Sequence, residues 1–332
     1  MTNSLTAELD ADLARIEARL DQLLGREREL AWGWPALDNA VGPLVLGRLY
    51  VIGARPSCGK TTLLLSWISR HVDRTMAIFR DGSAEGYWRW SRRLLAFLTE
   101  RSPHAARVAM AAMRAGYAPD LVLRERWDDL PKGAQLLVQF HLEQIEYAER
   151  NGFLQFVDAA SPSVTKILEE CEKFKPDILI VDYIQRVRPV ARQTKFEAIS
   201  QLVSFLQWCA YKLRVLVIAA SQLKRRGDGV FDKYRPPYLE DFKLSGEIEE
   251  AADVALGLFR PLRPMTMAEE KKVRRGDVGL ENWIIPNAMA VKVLKHRYWG
   301  DAADRIARLK CTECGIENWT DDEVRRTWVD DL

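Results

Sequence analysis

One stretch of the sequence decides the fold: Leu49-Tyr50-Val51-Ile52-Gly53-Ala54-Arg55-Pro56-Ser57-Cys58-Gly59-Lys60-Thr61-Thr62. Its first four residues are apolar and predict a buried strand, and the leucines that follow Thr62 predict a helix. A tight turn between a strand and a helix directs the free backbone N–H groups of the helix, and its dipole, toward an anion. Residues 54–62 are therefore predicted to bind the phosphates of a nucleoside triphosphate.

This stretch departs from the usual phosphate-loop pattern, GxxxxGK[ST], in which a glycine comes first. Ala54 stands at that position, and the nearest glycine, Gly53, is one residue too early. The other residues supply the expected chemistry. Gly59 permits close backbone approach, Lys60 can reach the β and γ phosphates, and Thr61 offers a hydroxyl to magnesium. The structural alternative is a strand-to-helix turn that binds nothing.

Composition and length limit the remaining possibilities. The chain has 332 residues, enough for one main α/β domain with appendages. It carries 49 Lys and Arg against 47 Asp and Glu, so any surface for a polyanion must be local. We find no signal segment and no apolar run of roughly 20 residues. Five cysteines with one close pair do not form a disulfide framework. We expect a soluble cytoplasmic protein with reduced thiols and no membrane partner.

Residues 5–30 predict an amphipathic helix ahead of the main domain. Apolar side chains recur at alternating spacings of four and three, at Leu9, Leu13, Ile16, Leu20 and Leu23. The Trp32-Gly33-Trp34-Pro35 sequence then breaks the helix, which is expected to lie outside the core. The apolar stripe can dock on its own domain or on a neighbouring one, and both options stay open.

Five short apolar runs predict the strands of the sheet, at residues 49–52, 76–79, 154–157, 178–181 and 215–219. Because helical patterns separate them, we expect a mostly parallel sheet with helices on both faces. In such a sheet the nucleotide binds at the carboxyl ends of the strands.

The run Ile178-Leu179-Ile180-Val181 ends in Asp182. A buried strand of this kind delivers one carboxylate to its tip, where it can hold the water shell of a magnesium ion bound by Thr61. Since many strands end in Asp by chance, the position of this one downstream of a phosphate loop supports the interpretation.

A third strand ends in Ser221-Gln222-Leu223 and is followed at once by Lys224-Arg225-Arg226, which we call the basic loop. The Gln222 amide is a candidate sensor of the γ-phosphate, and the basic loop could relay that state to a polyanion. In the alternative interpretation, Gln222 caps a loop and the basic residues form a solvated turn.

These elements together resemble the C-terminal motor domain of DnaB-type replicative helicases, which are RecA-like ATPases. Five blocks carry the resemblance in the family's order: Gly47-Arg48-Leu49 leading into Ala54-Arg55-Pro56-Ser57-Cys58-Gly59-Lys60-Thr61, then Val181-Asp182-Tyr183-Ile184-Gln185, then Ile218-Ala219-Ala220-Ser221-Gln222-Leu223, then Ser245-Gly246-Glu247-Ile248-Glu249 through Ala252-Asp253-Val254, and Lys295-His296-Arg297. The family's own text has Ala at the position of Ala54. The resemblance implies a RecA-like P-loop NTPase domain over residues 32–310, after a linker-type helix in 1–31 and before a tail in 311–332.

The resemblance also implies ATP and Mg²⁺ as cofactors and a shared active site. Lys295 and Arg297 are similar to the family's basic pair, which reaches the nucleotide of the adjacent subunit as an arginine finger. A ring of identical subunits, a hexamer in this family, would then be required for hydrolysis. In the structural alternative, both residues are surface cations on a final strand.

Residues 241–246 resemble the family's central loop, which grips the backbone of single-stranded DNA. Lys243, Ser245 and Gly246 are the candidate contacts there, although Leu244 occupies a position that is usually polar. Together with Lys224-Arg225-Arg226 they would bind phosphates, so binding is expected to be independent of sequence and sensitive to salt.

The family places a catalytic glutamate just after its second core strand. With residues 76–79 as that strand, Asp81 aligns best and Glu85 is the second candidate. Because Asp is one methylene shorter than Glu, hydrolysis is expected to be slow unless the backbone shifts toward the phosphate.

We therefore expect an ATP-dependent hexameric helicase that moves 5′ to 3′ on single-stranded DNA in replication, with a helicase loader or a primase as candidate partners. We expect no helical collar domain ahead of the motor, and an exposed hairpin or lid within residues 260–290. The alternative is an ATP-gated ring on single-stranded DNA, or a recombinase-like filament, with weak hydrolysis.

Two cysteine features complete the sequence. Cys311 and Cys314 have half of a zinc-knuckle spacing, but His296 is the only histidine near them in sequence, so reduced thiols and a zinc site both stay open. Cys58 stands at a helix N-terminus beside Lys60, where a thiolate is stabilised, and is expected to react readily with alkylating reagents.

Overall fold

The sheet that organises this chain is described by a computed structural model covering residues 29–80, 92–123, 127–189, 192–242, 245–320 and 322–324. A short antiparallel pair, β1 (Glu29–Leu30) and β2 (Leu44–Val45), comes first. The main strands are β3 (Leu49–Ala54), β4 (Leu94–Leu98), β5 (Leu154–Val157), β6 (Ile178–Asp182), β7 (Leu216–Gln222), β8 (Val254–Phe259), β9 (Ala288–His296), β10 (Ile306–Thr312) and β11 (Gly315–Glu317).

Within the described residues these nine main strands form one sheet in the order β11-β10-β9-β8-β3-β7-β6-β4-β5. The strands from β8 to β5 are parallel, while β9, β10 and β11 add to the β8 edge in antiparallel fashion. Strand β3 lies between β7 and β8, so the turn that follows its carboxyl end is near the centre of the sheet and not at an edge strand. The prediction of a mostly parallel α/β sheet is confirmed.

Helices cover both faces of this sheet. They are α1 (Pro35–Val41), α2 (Lys60–Arg80), α3 (Pro103–Arg114), α4 (Pro119–Leu123), α5 (Lys132–Arg150), α6 (Val164–Phe174), α7 (Lys195–Leu213), α8 (Ser245–Ala251) and α9 (Met267–Arg275). Alternate residues of β3 face opposite layers: Tyr50 and Ile52 pack with α2 and α3, whereas Leu49 and Val51 pack with α6 and α7. Two apolar cores therefore hold the centre of the sheet, and β3 is buried along its whole length.

Four of the five predicted strands are confirmed, and the one at residues 76–79 is wrong. Those residues continue α2, and the strand next to β6 is β4. A run of four apolar residues does not by itself distinguish helix from strand. Strand β4, Leu-Leu-Ala-Phe-Leu, has no β-branched residue, and its conformation is set by pairing between β5 and β6 in a sheet buried on both faces.

The C-terminal hairpin is part of the sheet. Strand β10 crosses the boundary between residues 310 and 311 at which the sequence divided the domain from its tail. The next strand, β11, packs on α2, where Ile316 N donates to Ser66 Oγ at 3.1 Å and Trp34 Nε1 donates to Ile316 O at 3.1 Å. These hydrogen bonds join the last of the described strands to the helix that follows the phosphate loop and to the residue before α1.

The predicted amphipathic helix falls almost entirely in residues 1–28, which lie outside the described part of the chain. Among the helices that are described, none is long and apolar enough to cross a membrane.

Candidate functional site

The turn between β3 and α2 forms an open cradle at the carboxyl end of the central strand. Ser57 and Gly59 both have positive φ, 62° and 94°. The φ of Gly59 favours glycine at this position, because other residues rarely adopt this backbone conformation. The cradle borders a cavity of about 310 Å³, lined by residues 54–62 together with Glu100, Tyr183 and Gln222.

Asp182 lies at the end of β6 with its carboxylate under this cradle, and it is buried. Its Oδ2 accepts a hydrogen bond from Thr61 Oγ1 at 2.7 Å, and Lys60 Nζ is 3.6 Å from Oδ1. In the described part of the chain, Oδ1 has no hydrogen-bond partner. The Lys60 ammonium lies close to this oxygen, and one carboxylate with one hydroxyl is the protein share of a typical Mg²⁺ site beside phosphates. The residues therefore fit the metal that the sequence predicted.

The Lys60 ammonium is enclosed by the same groups. Burial lowers its pKa, while the charges of Asp182 and then Glu100 act in the opposite direction. Its Nζ also lies 4.4 Å from the centre of the Tyr183 ring. A cation held out of water interacts strongly with an anion brought into the cavity, so Lys60 is well placed to bind a phosphate.

Glu100 is a carboxylate at the cavity that the sequence analysis did not single out as a candidate for the catalytic role. It follows β4 by two residues and lines the cavity together with Lys60 and Thr61. Asp81 and Glu85, the two residues predicted for this role, lie outside the described residues, and the strand used to align them is part of α2. The sequence signal for Glu100 was an acid two residues after a short apolar run, Leu94 to Leu98.

Gln222 ends β7 beside Ala54 and lines the cavity, as predicted. A second glutamine, Gln185, fixes this strand tip: its Oε1 accepts from Gln222 N at 3.1 Å, and its Nε2 donates to Ser221 Oγ at 2.8 Å. The hydrogen bonds of Gln185 connect the end of β7 to the segment after β6.

The basic loop and the residues before α8 lie side by side. Leu223 and Phe242 form an antiparallel bridge, and Lys224 N donates to Asp241 O at 2.7 Å. The side chains of Lys224 and Arg225 are exposed. The third residue of the loop, Arg226, forms an ion pair within the chain, because its Nε donates to Asp241 Oδ1 at 2.6 Å.

Of the other predicted DNA contacts, Ser245 and Gly246 begin α8, and Gly246 is exposed. Lys243 lies outside the described residues, as does Leu244. The two predicted DNA-binding segments are therefore held next to each other by the bridge between Leu223 and Phe242.

Lys295 and Arg297 lie at the end of the sheet where the parallel strands begin, and the cradle lies at the end where they finish. Val254 pairs with both Tyr50 at the start of β3 and His296 in β9, whereas the cradle follows Ala54 at the other end of β3. Arg297 Nη1 donates to Asp253 Oδ1 at 3.1 Å, and Lys295 Nζ donates to Ala252 O at 2.6 Å and also to Glu249 O. These cations therefore do not approach their own phosphate loop.

The structure does not support a stabilised thiolate at Cys58. The thiol is buried, and burial raises its pKa despite the neighbouring charges of Arg260, Arg55 and Lys233. The helix N-terminus does not compensate for the loss of solvent around the thiolate.

The two tail cysteines gain no further metal ligand in the described chain, where no three His, Cys, Asp or Glu side chains are grouped as a metal site. Cys311 Sγ accepts from Arg260 Nη2 at 3.3 Å. His296 uses both ring nitrogens, with Nδ1 accepting from Trp299 N at 2.9 Å and Nε2 lying 3.2 Å from Val41 O.

Comparison with known proteins gives consistent matches. The family model of the DnaB-like helicase C-terminal domain matches residues 30–302. The replicative DNA helicase DnaB of Helicobacter pylori is 28% identical over 274 residues, which cover 78% of this chain and 50% of that protein. The corresponding protein of Rickettsia felis is 25% identical over 300 residues, 86% of this chain and 56% of the relative. The chain thus spans about half the length of these curated relatives.

Solved structures show the same fold. A separately solved ATPase domain superposes with a TM-score of 0.68 at 21% identity, covering 94% of this chain and 99% of that one. A DnaB-like replicative helicase, studied with its interactions with primase, superposes with a TM-score of 0.63 at 21% identity, covering 87% and 63%. The core is accordingly a RecA-like ATPase fold.

Proposed function

Because the chain belongs to the family of DnaB-like helicase C-terminal domains, we propose that it is the ATP-hydrolysing motor of a replicative DNA helicase. It acts as a homohexameric ring on single-stranded DNA and moves 5′ to 3′. The observation that carries this proposal is that Lys60, Thr61 and Glu100 line one cavity at the carboxyl end of β3, with Asp182 in contact with Lys60 and Thr61. The polarity of movement rests on the family resemblance alone.

At the nucleotide, each residue has a separate task. The backbone N–H groups at the start of α2, with Lys60 Nζ, bind the phosphates of ATP. Thr61 Oγ1 and Asp182 would hold Mg²⁺, which when bound neutralises charge on the phosphates. Glu100 orients the attacking water and accepts its proton, and Gln222 contacts the γ-phosphate from the end of β7.

The catalytic unit is shared between two subunits. The family resemblance assigns Arg297 and Lys295 to the nucleotide of a neighbouring subunit, and their position at the far end of the strands from their own cradle supports this assignment. An arginine supplied in this way stabilises charge that develops in the transition state and accelerates related phosphoryl transfers about 10³ to 10⁵-fold. Ring assembly is then a condition for fast hydrolysis.

The basic loop and the residues at the start of α8 bind DNA. Lys224, Arg225, Lys243 and Gly246 contact the backbone of a single strand, and binding is therefore independent of sequence. Arg226 supports the loop through Asp241 and is a weaker candidate for direct contact.

A weakly hydrolysing ring was the alternative suggested by the sequence. One of its reasons was a short catalytic carboxylate at Asp81. Glu100 beside the cavity removes that reason, so the motor is the better supported function.

Unwinding of a forked duplex tests the proposal directly. Wild-type protein with ATP and Mg²⁺ is expected to separate the strands and to show ATPase activity stimulated by single-stranded DNA. A Lys60→Ala variant should fold and lose both activities. Stimulated ATPase without any strand separation would favour the passive ring, and the absence of both activities in the wild type would refute the function.

A further inference from the structure

Residues 260–287 form an insertion between β8 and β9 to which the proposed function gives no role. The insertion is closed at its base by an antiparallel bridge between Leu262 and Ile284, and Arg263 N donates to Trp283 O at 2.8 Å. Its helix, α9, has defined ends. Thr266 and Glu269 form a capping box, and Gly276 ends the helix with a φ of 80°. The predicted hairpin is thus a structured element that carries a helix.

Helix α9 is joined to the segment after the basic loop by a closed ring of four charged side chains. Arg274 Nη2 donates to Asp228 Oδ1 at 2.7 Å and to Glu270 Oε1 at 2.8 Å. Arg235 Nη2 donates to Glu270 Oε1 at 2.7 Å, and its Nε donates to Asp228 Oδ2 at 3.2 Å. Each acid therefore accepts from both arginines, and each arginine contacts both acids.

An aromatic side chain lies under this ring. The guanidinium carbons of Arg274 and Arg235 are 4.8 and 5.4 Å from the centre of the Phe231 ring, which is buried. Burial acts to raise the pKa of Asp228, but the hydrogen bonds from Arg274 and Arg235 outweigh it, and the pKa is lowered. The four charged side chains therefore stay ionised, and the buried Phe231 ring packs against both guanidinium groups.

The residues that α9 holds connect the two proposed binding sites. Asp228 is two residues after Arg226, the last residue of the basic loop. Arg235 O accepts from Arg55 Nη1 of the phosphate loop at 3.0 Å, and Lys233 O accepts from Arg260 N at 3.0 Å. Segment 224–235 is held by Asp241 at Lys224 and Arg226 and by Arg55 at Arg235. The ion pairs of Asp228 with α9 hold the stretch between these two ends.

We propose that α9 is a brace that positions the basic loop for single-stranded DNA, with Arg274 and Glu270 as its positioning residues. The inference rests on the proposed function, because it assigns to the same DNA site a further determinant of affinity. A loop that is ordered before binding loses less conformational entropy when DNA binds. The brace therefore tightens DNA binding without touching a nucleotide.

Glu270 offers a test in which the sign of the effect is informative. Glu270→Gln removes a negative charge near the DNA site, and simple electrostatics would make DNA bind more tightly. Loss of the brace makes it bind more weakly. Fluorescence anisotropy of a labelled oligothymidine, measured with a non-hydrolysable ATP analogue, should show an affinity about tenfold lower for Glu270→Gln and for Arg274→Gln.

Arg275→Gln is the matched control, because it removes the same charge as Arg274→Gln from the next position, where the side chain is exposed and outside the ring. Its affinity should stay within about twofold of wild type. The slope of log affinity against log salt should be unchanged in Arg274→Gln, since no phosphate contact is lost. Basal ATPase and the thermal unfolding midpoint should match wild type in all three variants.

Equal or tighter DNA binding by Glu270→Gln, while wild type binds normally, would overturn the brace and leave the proposed function intact. Equal losses in Arg274→Gln and Arg275→Gln, with a shallower salt slope in both, would also overturn it, because α9 would then contact DNA directly. Failure of the wild type to bind the oligonucleotide would refute the proposed function itself.

Discussion

Arg55 of the phosphate loop donates from Nη2 to Oδ2 of Asp241 at 3.0 Å, and both side chains are buried. The other oxygen of Asp241 accepts from Arg226 Nε at 2.6 Å, and Oδ2 also accepts from Tyr238 N at 2.9 Å. One carboxylate therefore lies between the loop that binds nucleotide and the loop proposed to bind DNA. Arg55 and Arg226 donate to the same carboxylate, so a movement of Arg55 would also move the acceptor of Arg226. The two loops are therefore physically connected through Asp241.

The buried pair predicts a large stability effect at Asp241. Asp241→Asn leaves the Arg55 charge buried without its counterion, and breaking a buried pair in this way costs about 3–5 kcal/mol. Urea denaturation should show that loss. The control is Glu240→Gln, whose side chain is 76% exposed and 3.9 Å from Arg226 Nη2; its free energy of unfolding should change by less than about 0.5 kcal/mol. Similar losses in both variants would contradict the assigned role of the pair.

Glu100 is predicted to be the catalytic carboxylate. Glu100→Gln keeps the size of the side chain but cannot accept a proton, so kcat should fall about 10² to 10⁴-fold while nucleotide affinity stays close to wild type. Steady-state ATPase and binding of a fluorescent ATP analogue measure the two quantities. Asp81→Asn and Glu85→Gln should retain activity. A large loss in Asp81→Asn with an active Glu100→Gln would restore the assignment made from the sequence.

An active site shared between subunits predicts complementation. Arg297→Ala and Lys60→Ala should each be nearly inactive alone, for different reasons. When they are mixed, some interfaces combine an intact Arg297 from one subunit with an intact Lys60 from the next, and ATPase activity should reappear. Arg305→Ala is the control, because Arg305 is an exposed cation paired with Asp301 and should keep full activity. A mixture without any regained activity would argue against a finger supplied by the neighbour.

Cys58 is predicted to react slowly with thiol reagents. Its side chain is almost fully buried, and burial raises the pKa of the thiol, so little thiolate is available near neutral pH. Iodoacetamide followed by peptide mass spectrometry should modify Cys314, which is partly exposed, before Cys58. Rapid modification of Cys58 that nucleotide prevents would show that the thiol opens to solvent in the absence of ligand.

His71 predicts a loss of stability in acid. Burial lowers the pKa of His71 from 6.5 to about 4. Between these two pH values the imidazole is protonated in the unfolded chain but neutral in the folded protein. The contribution of His71 to stability is therefore complete above pH 6.5 and is lost progressively as the pH falls toward 4. Between pH 7 and pH 5 the loss is about 2 kcal/mol. Urea denaturation of His71→Gln should show a pH dependence smaller by that amount, and an unchanged dependence would refute the cause.

The sequence was sufficient for the parts of the site that depend on local pattern. The phosphate loop and Asp182 could be predicted because a strand that ends in a special residue leaves a local signature. Glu100 could not be found in this way, since β4 is made of residues that suit a helix equally well and takes its conformation from its neighbours in the sheet.

Pairings between distant segments were also beyond local pattern. Asp241 with Arg55, and Arg274 with Asp228, join residues that are 186 and 46 positions apart. Such pairings are determined by how the chain folds back on itself, and a single sequence contains no periodicity that specifies them.

The C-terminal hairpin has a practical consequence for anyone who shortens this protein. A fragment trimmed at residue 310 would cut β10 before its end, remove β11, and leave the Trp34 indole and the Ser66 hydroxyl without their acceptor and donor. Expression fragments should therefore extend past residue 317. The same dependence makes partial proteolysis at this end a sensitive way to learn whether nucleotide tightens the helix behind the phosphate loop.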